Sequence, residues 1–316
     1  MAWVRENTKE NAVFAHWWDY GYWIQSIGER ATILDGGNVI GNWNRLMGRL
    51  VLTGTNEKEA LEFLYAHNGT HLLIDSTEIG KYPAFSSIGS DENYDRISYI
   101  PTVLMDNSQT KTFENVTAYV YPSGFSLDDD IVIFKEGKEI LLPRKAAGIG
   151  AIIVKVDGAG KVLQPQIIFI NGANQYTENL RYIFFRGKVY DFGSGIDAGI
   201  FTYPKIDAAS NGQNSLNDIG AAFYLSPRVV HSNLANLYLF GKDSDNFKLV
   251  HTESNFFVEN LKKQGLDFGE FVYFNGFQGP IKIWEIKYPS NITFNEEYLS
   301  IEYPDEELDI AKPGEY

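Results

Sequence analysis

Apolar side chains in the first part of the chain recur with the spacing of helices. Residues 17–27 are densely apolar, and this run predicts a buried helix that ends at Gly28. Residues 40–52 also keep a helical period. A further helix is predicted from a cap at Thr55 or Asn56 to the next Asn-Gly pair, because acidic residues occupy its first turn.

The pattern changes from helical to extended further along the chain. A short apolar run at residues 71–74 predicts a buried strand that ends at Asp75, the position where open sheets bind ligands. Residues 99–203 then alternate short β-branched and aromatic runs with turn dipeptides. These runs predict a β-rich unit, either a small barrel or a sandwich, with strands at residues 116–121, 131–134, 151–156, 167–170 and 182–185.

The last third of the chain returns to a helical pattern with strands near its end. We predict a polar loop at residues 211–217, helices at residues 229–240 and 252–264, and strands at residues 271–274 and 281–286. The acidic end at residues 305–316 is expected to be frayed. The predicted class is therefore α+β, a mixed helical core that carries an inserted β-rich unit. The expected boundaries are residues 1–100 and 211–316 for the core and 101–210 for the insert.

Composition narrows the possible functions. The 316 residues carry a net charge of −14, and nucleic-acid-binding domains are usually basic, so a nucleic-acid partner is not predicted. The absence of cysteine excludes disulfide scaffolds, zinc–thiolate sites and cysteine nucleophiles. No run approaches the roughly 18 apolar residues of a membrane-spanning helix. His67 and His71 are separated by an Asn-Gly pair that interrupts a helix, so they predict no metal site.

Residues 17–23 combine five aromatic side chains with one carboxylate. The indoles of Trp17 and Trp18 offer N–H donors and apolar walls, and Asp19 offers a charged acceptor. A buried hydroxyl needs a donor and an acceptor, so the cluster could bind a serine or threonine side chain. Core packing is the alternative, because aromatic clusters usually lie inside proteins. Asp19 favours a binding site, since carboxylates are rarely buried without a partner.

The run Trp17-Trp18-Asp19-Tyr20-Gly21 resembles the signature of the catalytic subunit of oligosaccharyltransferases. These membrane enzymes transfer a lipid-linked glycan to asparagine in Asn-X-Ser/Thr. Residues 22–24, 30–38, 228–231 and 247–250 resemble further parts of the family, and the layout is similar to its archaeal members, known as AglB. The resemblance covers about 150 residues of the core. It implies that the chain is the carboxyl-terminal soluble domain of a protein with many membrane helices.

The resemblance also implies roles for these five residues. In the family, the tryptophans and the aspartate bind the hydroxyl of the Ser/Thr residue, so the pocket here would be formed by Trp17, Trp18 and Asp19. Tyr20 and Gly21 would shape the turn and support it. A bound threonine would add a methyl contact worth about 0.8 kcal/mol, and we therefore expect Asn-X-Thr to be preferred over Asn-X-Ser.

The family has a second motif, an Asp–Lys pair beside the pocket. Its candidates here are Asp75 and Lys81, with Ile88 as a third member. Asp75 and Lys81 lie six positions apart, whereas a common family spacing is three, and that register does not fit because position 78 is Glu78. The alternative is a strand-end acid paired with a surface lysine, which contributes about 0–1 kcal/mol.

The resemblance implies that the chemistry of glycan transfer lies outside this chain. A carboxamide nitrogen is a poor nucleophile, and a divalent cation (Mn or Mg) is expected to assist it in the full-length enzyme, with ligands in loops of the membrane region. No catalytic residue and no metal ligand is predicted here, and the fragment is expected to be inactive alone. The implied partners are the acceptor polypeptide, the lipid-linked oligosaccharide and the amino-terminal transmembrane region, at the extracellular face of the archaeal membrane.

Two other classes of function remain open. Aromatic platforms and a β-rich insert would suit a soluble carbohydrate-binding module, and a comparison of glycan and peptide arrays would separate the two kinds of binding. A purely structural ectodomain would lose only stability when Asp19 is replaced by alanine.

Overall fold

The computed structural model describes residues 1–208 and 214–303, which contain both helices and strands, so the predicted α+β class is confirmed. The α-helices are α1 (Ala2–Asn7), α2 (Gly21–Ser26), α3 (Gly41–Leu46), α4 (Glu57–Ala66), α5 (Glu78–Ile88) and α6 (Phe256–Lys263). The described part of the chain also has 3₁₀-helices at Trp18–Tyr20 and Glu296–Leu299 and π-helices at Met47–Leu52 and Ala235–Leu239.

Eighteen strands are present in the same part of the chain. In order they are β1 (Val13–Ala15), β2 (Ala31–Thr32), β3 (His71–Ile74), β4 (Thr102–Leu104), β5 (Lys111–Phe113), β6 (Val116–Pro122), β7 (Ile131–Lys135), β8 (Lys138–Leu142), β9 (Gly148–Asp157), β10 (Gln166–Asn171), β11 (Asn174–Phe185), β12 (Lys188–Asp191), β13 (Ile196–Ala208), β14 (Asn214–Leu225), β15 (Phe247–Glu253), β16 (Val272–Tyr273), β17 (Phe277–Gln278) and β18 (Ile281–Ile286).

The chain divides into two compact units. The first unit comprises Met1–Ile97, His231–Glu253 and the described residues from Ile281 onward, and the second comprises Ser98–Val230 and Ser254–Pro280. The structure therefore places the boundary expected near residue 210 at residue 230, because β14 pairs with β13 and stays in the sheet of the second unit. Residues 254–280 also join the second unit, where β16 pairs with β13.

The first unit is built on a five-stranded sheet with the order β15-β18-β3-β1-β2. β1 lies between β3 and β2 and runs parallel to both. β18 pairs with β3 in the antiparallel sense, and β15 pairs with β18. The three parallel strands β1, β2 and β3 therefore point their carboxyl ends to the same edge of the sheet.

One buried cluster joins this sheet to the helices beside it. It includes Val4 of α1, Phe14 of β1, Ile24 of α2, Leu73 of β3 and Ile283 of β18. Burying each of these side chains stabilises the fold by roughly 1.5–3 kcal/mol. Helix α2 is thus fixed to the sheet by Ile24, which belongs to the same cluster as Phe14 and Leu73.

Several predicted elements of the first unit are confirmed. Asn56 precedes α4 and caps it, accepting a hydrogen bond from the Lys58 N–H at 3.0 Å. β3 occupies the predicted strand before Asp75, and β18 occupies the strand predicted at residues 281–286. The helical pattern at residues 40–52 forms α3 followed by a π-helix.

The buried helix predicted at residues 17–27 is only partly correct. A 3₁₀ turn comes first, and α2 begins at Gly21 and ends at Ser26. Ile24 is fully buried, but Tyr22 and Trp23 are 53% and 59% exposed. The helix α2 therefore has one apolar side that faces the core and one aromatic side that is exposed, and it is not buried on all sides.

The second unit contains a branched sheet of eleven strands and a separate β7–β8 hairpin. Its longest path is β17-β16-β13-β11-β10-β9-β6-β5, with β12 attached to β11, β14 attached to β13 and β4 attached to β14. The five strands predicted here are confirmed as β6, β7, β9, β10 and the end of β11. Their inward side chains belong to one buried cluster, which includes Ile152, Val154, Ile167 and Phe169.

The polar loop and the first helix predicted for the last third were partly wrong. Residues 214–217 begin β14 instead of lying in a loop. The helix predicted at residues 229–240 is reduced to the π-helix Ala235–Leu239. Ser232 explains this break, because its hydroxyl accepts a hydrogen bond from the Ala235 N–H at 3.1 Å and starts a new helical segment there.

The second predicted helix and the chain end also differ from expectation. The helix predicted from Thr252 begins at Phe256, because Thr252 pairs with Lys282 in the sheet. The strand predicted at residues 271–274 is limited to Val272–Tyr273, and the acidic end at residues 305–316 lies outside the described residues. Among the described helices, none has both the length and the apolar character needed to span a membrane.

Candidate functional site

Three acidic residues follow the three parallel strands of the first unit. Asp19 follows β1, Asp35 follows β2 and Asp75 follows β3. Because β1 is hydrogen-bonded to both neighbours in the parallel sense, these residues line one edge of the sheet. Open sheets bind their ligands at this edge, and the predicted motif residues therefore occupy a position suited to a site.

Lys81 is paired with Asp19 and not with Asp75. Its Nζ lies 2.7 Å from Oδ2 of Asp19, and the two side chains are 35% and 25% exposed. Solvent reaches this pair, so the ionic attraction is screened and weak on its own. The predicted Asp–Lys motif is thus brought to the site, but the carboxylate that Lys81 contacts belongs to the aromatic motif.

Tyr20 connects the aromatic motif to the turn after β3. Its hydroxyl lies 2.6 Å from Oγ1 of Thr77 and donates to Oδ1 of Asp75 at 3.4 Å. Lys81 donates to the same hydroxyl at 3.4 Å, and its Nζ lies 4.9 Å from the centre of the Tyr20 ring. Burial, together with nearby carboxylates, raises the pKa of the Tyr20 phenol above its ordinary value. The phenol therefore remains a neutral hydrogen-bonding group at the junction.

The two tryptophans occupy different environments. Trp17 is 1% exposed and packs against Phe85 of α5, with the ring centres 5.5 Å apart. Trp18 is half-buried, and its ring centre lies 6.5 Å from that of Trp17. Within the described part of the chain, neither indole N–H donates a hydrogen bond. Trp17 is therefore a fixed wall of the core, and Trp18 is the indole that a ligand can reach.

Gly21 brings the motif into close contact with the segment after β2. A Cβ atom at this position would lie 2.4 Å from Cα of Asp35 and 2.7 Å from the Leu34 carbonyl oxygen. Backbone atoms cannot move aside as a flexible side chain can, so only glycine fits here. The Asp35 carboxylate in turn accepts hydrogen bonds from Gln25 Nε2 at 3.1 Å and from the Gly37 N–H at 2.8 Å.

Asp75 and Ile88 lie at opposite ends of the α5 region. Asp75 accepts a hydrogen bond from the Thr77 N–H at 2.8 Å, and its carboxylate is thus used to shape the turn. Ile88 is 41% exposed at the end of α5. Ile88 is seven positions after Lys81, so it lies about 10 Å further along the same side of the helix.

Two buried titratable groups beside the site were missed by the sequence patterns. Glu78 is fully buried, and burial raises the pKa of its carboxyl group to about 8. His16 is fully buried as well, and burial lowers its pKa to about 4. Nδ1 of His16 lies 2.7 Å from the Trp17 carbonyl oxygen, which can only accept, so Nδ1 carries the proton. The Asp75-x-x-Glu78 spacing is that of a capping box, and it could have indicated a role for Glu78. No sequence pattern indicated His16.

The described residues contain no group of three or more histidine or acidic side chains able to hold a metal ion. His67 Nε2 lies 3.1 Å from the Tyr298 carbonyl oxygen, and His71 Nδ1 lies 2.8 Å from Oγ1 of Thr70. Burial lowers the pKa of both imidazoles.

Curated proteins similar to this chain share a short part of it. Dolichyl-phosphooligosaccharide-protein glycotransferase 1 of Pyrococcus furiosus is 50% identical over 40 residues, which are 12% of this chain and 4% of that protein. Dolichyl-diphosphooligosaccharide–protein glycosyltransferase subunit stt-3 of Caenorhabditis elegans is 32% identical over 72 residues, which are 23% of this chain and 9% of that protein. The matched segments thus span less than a tenth of these relatives' length.

Two solved structures have a distant likeness to the chain. The C. jejuni pglb C-terminal domain has a TM-score of 0.42 and 13% identity, over 90% of this chain and 97% of that chain. The C-terminal globular domain of an oligosaccharyltransferase from Pyrococcus abyssi has a TM-score of 0.39 and 15% identity, over 90% of this chain and 48% of that chain.

The sequence of one segment matches a family description. Residues 9–77 match the STT3/PglB/AglB core domain. This segment contains the three parallel strands, the aromatic motif and Asp75, and it ends before Lys81. Residues 9–77, which carry the strand ends at the candidate site, are thus similar to the STT3/PglB/AglB core domain.

Proposed function

We propose that this chain is the acceptor-recognition domain of an oligosaccharyltransferase and binds the hydroxyl side chain of the Asn-X-Ser/Thr sequon at the sheet edge. The observation that carries this proposal is the ion pair between Asp19 and Lys81 beside half-buried Trp18. The match of residues 9–77 to the STT3/PglB/AglB core domain supports the same interpretation.

The geometry suits a small hydroxyl side chain. Lys81 contacts Oδ2 of Asp19, and within the described residues Oδ1 has no hydrogen-bond donor. The substrate hydroxyl would donate to Oδ1 and accept from the indole N–H of Trp18, which satisfies both of its hydrogen-bonding capacities. Lys81 thus holds the carboxylate in one orientation and leaves one oxygen for the ligand.

The remaining parts of the reaction are assigned to the complete protein. The lipid-linked glycan, the divalent cation (Mn or Mg) and the residues that activate the asparagine would be held outside this chain, in a membrane region at the extracellular face. The isolated chain should then bind acceptor peptides without transferring glycan. EDTA should abolish transfer by the complete protein and leave the unfolding of the isolated chain unchanged, because metal binding couples to folding only where the ligands are.

A pair of matched peptides tests the hydroxyl site. In the complete protein, an acceptor with Asn-Ala-Thr should have kcat/KM about 10- to 100-fold higher than one with Asn-Ala-Val, because valine keeps the shape and leaves a charged acceptor unpaired. Asp19→Ala should bring this ratio close to one, while Asp243→Asn, an exposed acid of the same unit, should leave it unchanged. A ratio that survives Asp19→Ala would exclude the proposed role.

The methyl group of threonine provides a smaller second test. Burying one methyl contributes about 0.8 kcal/mol, which corresponds to a preference of roughly fourfold for Asn-X-Thr over Asn-X-Ser. Equal use of the two peptides would show that no apolar wall faces the methyl group.

Sugar binding is a second candidate function, favoured by one observation. Tyr22 and Trp23 are adjacent on α2 and expose 53% and 59% of their surface, and flat exposed rings are suited to stacking on sugars. A glycan array on the isolated chain tests it: binding that is lost in Trp23→Ala and is independent of sequon peptides would favour a carbohydrate-binding module.

A further inference from the structure

Glu78 is an unusual residue for its position at the start of α5. It is fully buried, and a carboxyl group buried away from water is unfavourable unless its oxygens are hydrogen-bonded. Oε2 accepts a hydrogen bond from the Asp75 N–H at 3.1 Å. The backbone of Trp17 also favours the charged form of the Glu78 carboxyl group. Within the described residues, Oε1 of Glu78 has no hydrogen-bond partner that meets the usual geometry. One carboxyl group thus faces the ends of β1 and β3 together.

The turn between β3 and α5 is closed by reciprocal hydrogen bonds. The Asp75 carboxylate accepts from the Thr77 N–H at 2.8 Å, and the Glu78 carboxyl accepts from the Asp75 N–H at 3.1 Å. The Glu78 N–H also donates to the Asp75 carbonyl at 3.1 Å. These bonds resemble a capping box that lies in the turn before α5, whose own N-cap, Thr77, makes no side-chain cap hydrogen bond, and such bonds set the direction in which a helix leaves the preceding chain.

The direction of α5 decides where Lys81 lies. Lys81 is three residues beyond Glu78, close to one helical turn, and it reaches Asp19 at 2.7 Å. A small change in the start of the helix would move the lysine, because an ion pair and its hydrogen bonds require a narrow range of distances. The contact at the site therefore depends on a buried group that does not itself face the ligand.

We propose that Glu78 is a positioning residue of the acceptor site, whose buried carboxyl group fixes the turn between β3 and α5 so that Lys81 meets Asp19. This inference rests on the proposed function. Glu78 acts through Asp75 and the helix, and it is not expected to touch the acceptor peptide.

Protonation of Glu78 gives the inference a specific signature. Asp75, Lys81 and Tyr20 are the ionisable groups that interact with it. The pKa near 8 means that the carboxyl group gains its charge between about pH 7 and about pH 9. The new charge repels the Asp75 carboxylate and attracts the Lys81 ammonium, which otherwise contacts Asp19. Acceptor binding should therefore weaken as the pH rises through this range.

The test compares three variants of the complete protein. KM and kcat for an Asn-Ala-Thr peptide are measured from about pH 7 to about pH 9. The proteins compared are the wild type, Glu78→Gln, Glu78→Leu and a control, Glu59→Gln. Glu59 is an exposed glutamate of the same unit. Glu78→Gln keeps the acceptor oxygen and cannot ionise, so its KM should stay within about twofold of the wild type near neutrality and lose the alkaline rise. Glu78→Leu should raise KM about tenfold with a smaller change in kcat. Glu59→Gln should follow the wild type.

Opposite results identify which idea has failed. An alkaline rise in KM that persists in Glu78→Gln would overturn the inference, as would an unchanged KM in folded Glu78→Leu. If Glu78→Leu does not fold, the pH profile of Glu78→Gln decides alone. Asp19→Ala is measured in parallel with the threonine and valine peptides. If Asp19→Ala loses the discrimination between them while the Glu78 variants keep the wild-type KM and pH profile, the positioning role is excluded and the proposed function is retained.

Discussion

The ammonium of Lys81 lies 2.7 Å from a carboxylate oxygen of Asp19 and 3.4 Å from the Tyr20 hydroxyl. The contact joins the 3₁₀ turn after β1 to the helix after β3. Both charged side chains remain partly exposed, so the pair contributes little to stability, and its main effect is to orient the carboxylate.

Replacing Lys81 should separate binding from stability. Lys81→Met should change the free energy of unfolding by at most about 1 kcal/mol, because a partly exposed pair is screened by solvent. Discrimination between threonine and valine acceptor peptides should fall, since the Asp19 carboxylate is no longer held in one orientation. Lys58→Met removes a 69%-exposed partner of Glu62 and serves as the control for the lost charge. Full discrimination by Lys81→Met would contradict the orienting role.

Two glycines of the first unit should respond in opposite directions to alanine. Gly21→Ala would place Cβ 2.4 Å from the Asp35 backbone and should lower the free energy of unfolding by about 1–3 kcal/mol or more. Gly80 lies inside α5, and a Cβ added there would meet no neighbouring atom within 4 Å, so Gly80→Ala should be neutral or raise stability by up to about 1 kcal/mol. Urea unfolding of the isolated chain measures both, and equal effects would contradict this assignment.

The two tryptophans should differ in what their loss costs. Trp17→Ala empties a buried site against Phe85 and should reduce the free energy of unfolding by about 3–5 kcal/mol. Trp18→Ala removes a half-buried ring; it should leave the fold largely intact and weaken acceptor binding. Circular dichroism and peptide titration distinguish the outcomes. If Trp18→Ala binds as the wild type does, the indole does not contact the acceptor.

His16 should make the first unit sensitive to acid. Its folded pKa is about 4, below the ordinary value of 6.5. As the pH falls from about 6.5 to about 4, the unfolded chain takes up a proton that the folded chain resists, so stability is lost across this window. His16→Asn retains a donor for the Trp17 carbonyl and should lose less stability on acidification.

The titration of Glu78 changes the free energy of unfolding in the opposite direction and over an overlapping pH range. The effect of His16 is therefore measured as a difference between variants. Its raised folded pKa means that the folded chain takes up a proton first as the pH falls from about 8 towards 4.5, and stability is gained. The urea midpoints of the wild type and His16→Asn are measured at several pH values. Their difference cancels the contribution of Glu78, which both proteins share. Parallel curves for the two proteins would show that His16 is not the acid-sensitive group.

Local patterns allowed a good part of the first unit to be predicted. The α4 cap at Asn56 and the strand before Asp75 depend on residues close together in sequence, and both are present. Asp75 was placed at a strand end by the same kind of argument, whereas the aromatic motif was predicted to lie in a helix and instead follows β1. Alternating apolar residues likewise located β9 and β10, because one face of each strand is buried.

Relationships between distant segments were not predictable in this way. The partner of Lys81 depends on the direction of α5 relative to the turn after β1, which no spacing within either segment specifies. The closeness of Gly21 to Asp35 also depends on two strands being neighbours. The extent of β14 was missed because three of residues 214–217 are polar, and pairing with β13 outweighs their weak strand propensity.

The strand order of the first unit has a consequence for how the protein forms on the ribosome. β18 occupies the place between β15 and β3, yet it is made roughly 200 residues after β3. At about 5–20 residues per second, the edge of β3 waits on the order of 10–40 s for its partner. During this delay the hydrogen-bonding groups on that side of β3 are open to incorrect strand pairing. The nascent chain should therefore need protection, by a chaperone or by early folding of the intervening β-rich unit, before the candidate site is complete.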